Sequence, residues 1–153
     1  MKSVLSLGCF VLTSTLLFAG VTAEVKPEVI IFRDGDAVLT EYRYGGTVAL
    51  EKTEGTKPLA KPYFYPLNAP GGTPATRAWP MKRGTAGETV DHFHQKSAWF
   101  CHGDVIPEGI TLKTKAADKH VQGVDFWSEG GGHARIVCVK VEEPVMRDGA
   151  ASV

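Results

Sequence analysis

Val29-Ile30-Ile31-Phe32-Arg33-Asp34-Gly35-Asp36-Ala37-Val38-Leu39-Thr40-Glu41-Tyr42-Arg43-Tyr44 is the stretch that decides the fold. Its first four residues are β-branched or aromatic, the side chains that pack on a pleated surface. Asp34-Gly35 is a tight-turn signal, because glycine takes the left-handed backbone such a turn needs. Strand character then resumes from Ala37 to Tyr44. Two runs of this kind across an Asp-Gly turn predict an antiparallel hairpin.

On the C-terminal side, Gly45-Gly46 breaks the strand, and Thr47 to Leu50 predicts another short one before the charged segment Glu51 to Lys57. Pro58, Pro62, Pro66, Pro70, Pro74 and Pro80 follow at close intervals. Proline holds the residue before it out of the helical region, so Lys61 to Leu67 reads as extended, either an ordered surface segment or an edge strand. Pro70 to Pro74 predicts a turn, Ala75 to Trp79 an extended piece, and Met81 to Thr89 a loop. Pro107 to Gln122 reads as an inserted loop with Lys113, Lys115, Asp118, Lys119 and His120 solvated. Gly123 to Trp127 and Ala134 to Val141 return to strand character, with Gly130-Gly131-Gly132 as a flexible turn. Helical periodicity is nowhere sustained over the ten or so residues a helix requires. The expected fold class is all-β, an antiparallel β-sandwich.

Composition agrees with this reading. The 153 residues hold 17 Gly and 9 Pro, a load that interrupts helices and favours short strands. Lys+Arg and Asp+Glu both number 17, so the chain lacks the basic surplus a nucleic-acid partner would demand. The opening residues are a secretory leader in pattern: basic Lys2, an uncharged apolar run from Val4 to Gly20, and small residues up to Ala23. The expected domains are a signal peptide over 1–23, cleaved after Ala23, and a β-sandwich over 24–153, placing the mature chain in a secreted or periplasmic location without a membrane span. Arg147-Asp148-Gly149 is a second turn signal, and the strand it launches has only Ala150 to Val153 to use. From this the domain is expected to be the N-terminal part of a longer one, truncated at its C-terminus.

Export also bears on the cysteines. Cys101 and Cys138 lie in apolar strand-like runs. One reading is a disulfide closing a loop of about 38 residues, worth about 4 kcal/mol on the chain-entropy model; the other is two separate buried thiols.

Asp91-His92-Phe93-His94-Gln95-Lys96-Ser97-Ala98-Trp99-Phe100-Cys101-His102-Gly103-Asp104-Val105 is the densest stretch for chemistry. On a single strand the even positions His92, His94, Lys96, His102 and Asp104 share one face, and Phe93, Trp99 and Cys101 the other. A bend near Gln95 to Ser97 or at Gly103 would break that parity, since strands normally run about 3 to 10 residues. His92, His94 and His102 are therefore candidate ligands for a divalent metal, and equally candidate proton shuttles. Arg77 is a candidate clamp for a carboxylate or sugar hydroxyl, and Tyr63, Tyr65, Trp99 and Trp127 are candidate stacking walls for sugar rings. Against each stands a plainer fate: histidines bonded to loop backbone, an exposed arginine, tryptophans in the core.

Lys61 to Leu67, Thr76-Arg77-Ala78-Trp79-Pro80, Asp91 to Phe100, His102-Gly103-Asp104-Val105 and Gly123-Val124-Asp125-Phe126-Trp127 together resemble the bacterial PmoA-like family, a domain of unknown function labelled "methane oxygenase PmoA". The resemblance covers roughly Pro27 to the end. Its label implies metal-dependent oxidation. His102-Gly103-Asp104-Val105 with Gly123 to Trp127 is also similar to a motif pair of galactose-mutarotase-like enzymes, large β-sandwiches in which histidine and carboxylate exchange protons with a sugar. That resemblance implies a catalytic set in which His92, His94 and His102 are the acid/base residues and Asp104 or Asp91 orients an imidazole. Arg77, Tyr63, Lys96, Trp99, Asp125 and Trp127 would bind substrate.

The leading expectation is thus an exported, carbohydrate-handling β-sandwich with an imidazole-rich site. Metal-dependent oxidation, a non-catalytic sugar-binding module and an inactive fragment are the alternatives.

Overall fold

The Asp34-Gly35 turn forms as expected, with Gly35 at φ 55°, and the two strands beside it pair antiparallel within the main sheet. A computed structural model describes residues 20–51, 54–111, 122–129 and 133–153. Its strands are β1 (Val21–Lys26), β2 (Val29–Asp34), β3 (Ala37–Arg43), β4 (Thr47–Ala49), β5 (Thr56–Pro58), β6 (Tyr63–Leu67), β7 (Ala98–Trp99), β8 (Val145–Arg147) and β9 (Ala150–Ser152). All pairings are antiparallel, in a five-stranded sheet β1-β2-β3-β6-β7 and two ribbons, β4-β5 and β8-β9. No helix occurs among the described residues, and none there is long and apolar enough to cross a membrane. The fold is all-β.

Register explains where chemistry can sit. One row across the sheet runs Ile30, Tyr42, Phe64, Ala98, and the next runs Val29, Arg43, Tyr63, Trp99. Successive strand residues face opposite sides, so one face is apolar and the other carries a cation, a phenol and an indole. On the apolar face Tyr42 and Phe64 stack with centroids 4.8 Å apart. A groove of about 730 Å³ lies there, lined by Ile30, Phe32, Tyr42, Phe64, Ile136 and Cys138 among others. It offers area but few converging polar groups.

Several expectations are corrected. Lys61 to Leu67 is not at the edge, because β6 lies between β3 and β7. Ala134 to Val141 forms no strand. Its alternation survives, with Ile136 and Cys138 half-buried and Val137 and Val139 exposed, but its backbone joins the rest through Ile136 N–H to Ala60 O and Ala134 N–H to Asp125 O. A period-two pattern without a neighbouring ladder does not make a strand. Asp91 to Val105 is not one strand either: a turn closes from Gln95 N–H to His92 O, His92 and Ser97 both take φ 44°, and only Ala98–Trp99 pairs. Cys101 and Cys138 are free thiols, so the disulfide does not form.

The C-terminal turn is made, with β8 and β9 paired around Asp148-Gly149, and Val21 N–H reaches Gly149 O at 2.9 Å. β1 starts at Val21, so cleavage after Ala23 would remove its first half. Most of the leader (1–19), the loop lysines with Asp118 and His120 (112–121) and the glycine triplet (130–132) lie outside the described residues.

Candidate functional site around the Phe93 turn

The turn at His92 to Gln95 sorts its side chains by burial. Phe93 enters the core edge-on against Trp79, centroids 5.8 Å apart, while His92 stays exposed and His94 half-buried. For a non-glycine residue the left-handed backbone at His92 costs roughly 1–2 kcal/mol, and such strain tends to persist where geometry serves function.

His92 is held by its neighbours. Its Nδ1 lies 3.0 Å from Asp91 Oδ2, and its Nε2 has no hydrogen-bond partner among the described residues. Arg77 takes the other carboxylate oxygen, Nη1 to Asp91 Oδ1 at 2.5 Å, and adds bonds to Thr89 Oγ1 and Asp91 O. The carboxylate that Arg77 clamps is thus the protein's own. Bonds from Arg77 and His92 hold the Asp91 carboxyl down at about 2, so it is an anion at every pH of interest. In the expected sense Asp91 is the imidazole-orienting carboxylate.

His94 belongs to an aromatic surface. Trp127 Nε1 donates to His94 Nε2 at 2.8 Å, and the His94 ring lies 6.4 Å from Trp99 and 6.0 Å from Trp127. The two indoles stand 5.0 Å apart. The His92 and His94 rings are 5.9 Å apart. Burial, then nearby Lys61, pushes the His94 pKa down. An imidazole whose Nε2 accepts is neutral and carries its proton on Nδ1; His94 therefore offers a donor, not a free base.

His102 and Asp104 are elsewhere in role. His102 is exposed and its Nδ1 accepts the Asp104 N–H at 3.1 Å. Asp104 Oδ1 accepts the N–H groups of Gln122 and Gly123, which seats the Val105–Val124 bridge. A Cβ on Gly123 would fall 2.2 Å from Val105 O, so glycine alone fits there. Asp104 orients no imidazole but its own neighbour's, through backbone. Among the described residues no group of three or more His, Cys, Asp or Glu side chains can hold a metal ion. His92, His94 and His102 are thus not assembled into the ligand set expected of them, as divalent-metal sites need several ligands on one point.

Asp125 is likewise a structural carboxylate. Oδ1 accepts the N–H groups of Trp127 and Ser128, and Oδ2 lies 3.1 Å from His133 Nδ1. It fixes the turn that aims the Trp127 indole at His94.

Beneath the aromatic surface lies a cluster that the sequence reading missed. Lys61 and Lys96 are 1% and 3% exposed. Glu129 sits among them: Oε1 is 2.5 Å from Lys96 Nζ and 3.8 Å from Lys61 Nζ, and Oε2 is 3.2 Å from Lys57 Nζ. Lys61 also donates to Trp127 O and stands 4.3 Å over the Trp99 ring. Desolvation is the largest influence on both lysines and lowers their pKa values; Glu129 opposes it in each. Burial alone would raise the Glu129 carboxyl, but the lysines outweigh it and hold it down. A lysine preceding an aromatic, proline-bounded strand was the available signal for Lys61. Glu129, thirty-odd positions from Lys96, had none.

Fold and site define an all-β sheet protein whose polar face carries an imidazole and indole surface over a buried lysine–glutamate cluster. Residues 30–150 match the model of a family of unknown function (DUF6807), and the chain belongs to that family. The match gives no tie to methane oxygenases. No curated protein and no solved structure matched the chain.

Proposed function

We propose that this protein is exported and handles carbohydrate, with His92 as general base and the Trp99–Trp127 surface as the platform for a sugar ring. The observation that carries the reading is the Asp91–His92 pair beside a half-exposed pair of indoles. Asp91 and Arg77 fix the imidazole with Nε2 outward, the arrangement that lets a neutral histidine take a proton from a bound hydroxyl. Indole faces supply apolar area for the C–H side of a sugar, and His94 Nδ1–H supplies a directional donor. Mutarotation suits this set: His92 Nε2 takes the proton of the anomeric hydroxyl as the bond from C1 to the ring oxygen breaks, the ring oxygen takes a proton from solvent, and the transfers reverse when the ring closes as the other anomer. The leader-like segment supports export.

Polarimetric mutarotation assays and a glycan-binding screen test the proposal. Loss of a positioned base costs about 10²–10⁴ in rate, so His92→Ala should fall by that order while His94→Ala weakens binding. Unchanged activity in both variants would remove the site. Sugar binding that survives His92→Ala without turnover in either protein would make this a binding module.

A further inference from the structure

On the polar face of the sheet, a second cavity of about 280 Å³ opens beside the Phe93 turn. Arg43, Tyr63, Tyr65, Lys96, Phe93 and Thr47 contribute to its wall, which has two cations, two phenols and no carboxylate. Ligand sites for drug-sized molecules run from roughly 300 to 1,000 Å³, so this one has room for about a single ring. Lys96 is the buried member. Its ammonium has three donors, and Glu129 takes one. Arg43, half-exposed at the rim, is paired with Glu41. Tyr63 and Tyr65 are both held in the protonated form, chiefly by burial, so each phenol can donate.

The wall itself carries the cations Arg43 and Lys96 and no carboxylate. Behind it, the buried Lys61 and Lys96 are matched by the carboxylates of Glu129 and Asp125, and the part-exposed Lys57 adds a further ammonium at Glu129 Oε2. A cation that faces a cavity with donors to spare attracts an anion that enters within bonding range. Lys96 lies two residues from His94, so the cavity and the aromatic surface flank the same turn.

We propose that this cavity takes the carboxylate of an acidic sugar, a uronic-acid residue, with Lys96 as its charge partner and Tyr63 and Tyr65 as donors. This rests on the carbohydrate reading above and narrows it to acidic glycans.

Calorimetric titration of the full chain with glucuronate, glucose and inorganic phosphate tests it. A charge-assisted bond is worth about tenfold or more in affinity, so glucuronate should bind at least that much tighter than glucose. Tyr65→Phe and Arg43→Ala, both away from the buried cluster, should each reduce that preference, and Lys96→Met should abolish it. Equal binding of glucuronate and glucose overturns the acidic-sugar assignment while leaving the carbohydrate reading intact. Phosphate binding that depends on Lys96 with no binding of either sugar overturns both. A preference for glucuronate that persists in Tyr65→Phe, Arg43→Ala and Lys96→Met places the anion elsewhere and overturns the cavity assignment.

Discussion

His94 accepts the indole proton of Trp127, and that one bond ties its charge state to the fold. Its pKa lies below the usual 6.5 in the folded chain. As pH falls through 6.5 the unfolded chain takes up a proton that the folded chain refuses, so stability is lost on the acid side of that value. Urea midpoints should therefore drop from pH 7 to pH 5, and the slope should flatten in His94→Gln, whose amide oxygen can still accept from Trp127. An undiminished slope in that variant would refute the neutral assignment. Asp91 acts lower: its contribution is present above 3.8 and is lost as pH falls towards about 2. That His92 and His94 would neighbour each other was legible from their spacing. That one is a potential base and the other a fixed donor was not, since the difference comes from Asp91 on one side and from Trp127, thirty-three positions away, on the other.

At the scale of elements, the β2–β3 hairpin was fully legible because its turn chemistry and alternation are local. The segment after it shows where locality ends. Lys96 was expected on the polar even face with the histidines, yet in a segment bent by left-handed residues at His92 and Ser97 it is buried against Glu129. The resulting cluster gives an asymmetric prediction. Removing the shared partner of a buried ionic group costs about 3–5 kcal/mol, whereas replacing a charged member by an apolar one of similar size is often neutral or stabilising. Glu129→Gln should thus lose stability on that scale, and Lys61→Met should change it by about 1 kcal/mol or less, the lost bond to Trp127 O offsetting the relieved desolvation. Chemical denaturation of both variants measures this, and equal losses would contradict the account of Glu129 as the common counter-ion.

For the whole molecule, the sheet separates two environments. Its polar face carries Arg43, Tyr63 and Trp99, with His94, Trp127 and Lys96 beside them. The apolar face presents Phe64 and Phe100 at the groove, with Phe100 85% exposed. Exposed apolar area of this extent binds hydrophobic probes. The native chain at neutral pH should enhance the fluorescence of an anilinonaphthalene dye, and Phe100→Ser should reduce that enhancement without lowering the urea midpoint, because Phe100 is scarcely packed. A dye signal independent of Phe100 would place the accessible surface elsewhere.

The sequence by itself determined the all-β class, the two Asp-Gly hairpins and the aromatic and imidazole content of the Asp91 to Val105 stretch. These follow from period-two patterning and turn residues that act over a few positions. Tertiary structure alone decided which side chains meet: Trp127 with His94, Glu129 with Lys61 and Lys96, Asp104 with the backbone of Gly123 instead of a histidine. Each of those pairings spans nineteen to sixty-eight positions, a separation over which chain folding, not spacing, sets the distance between groups.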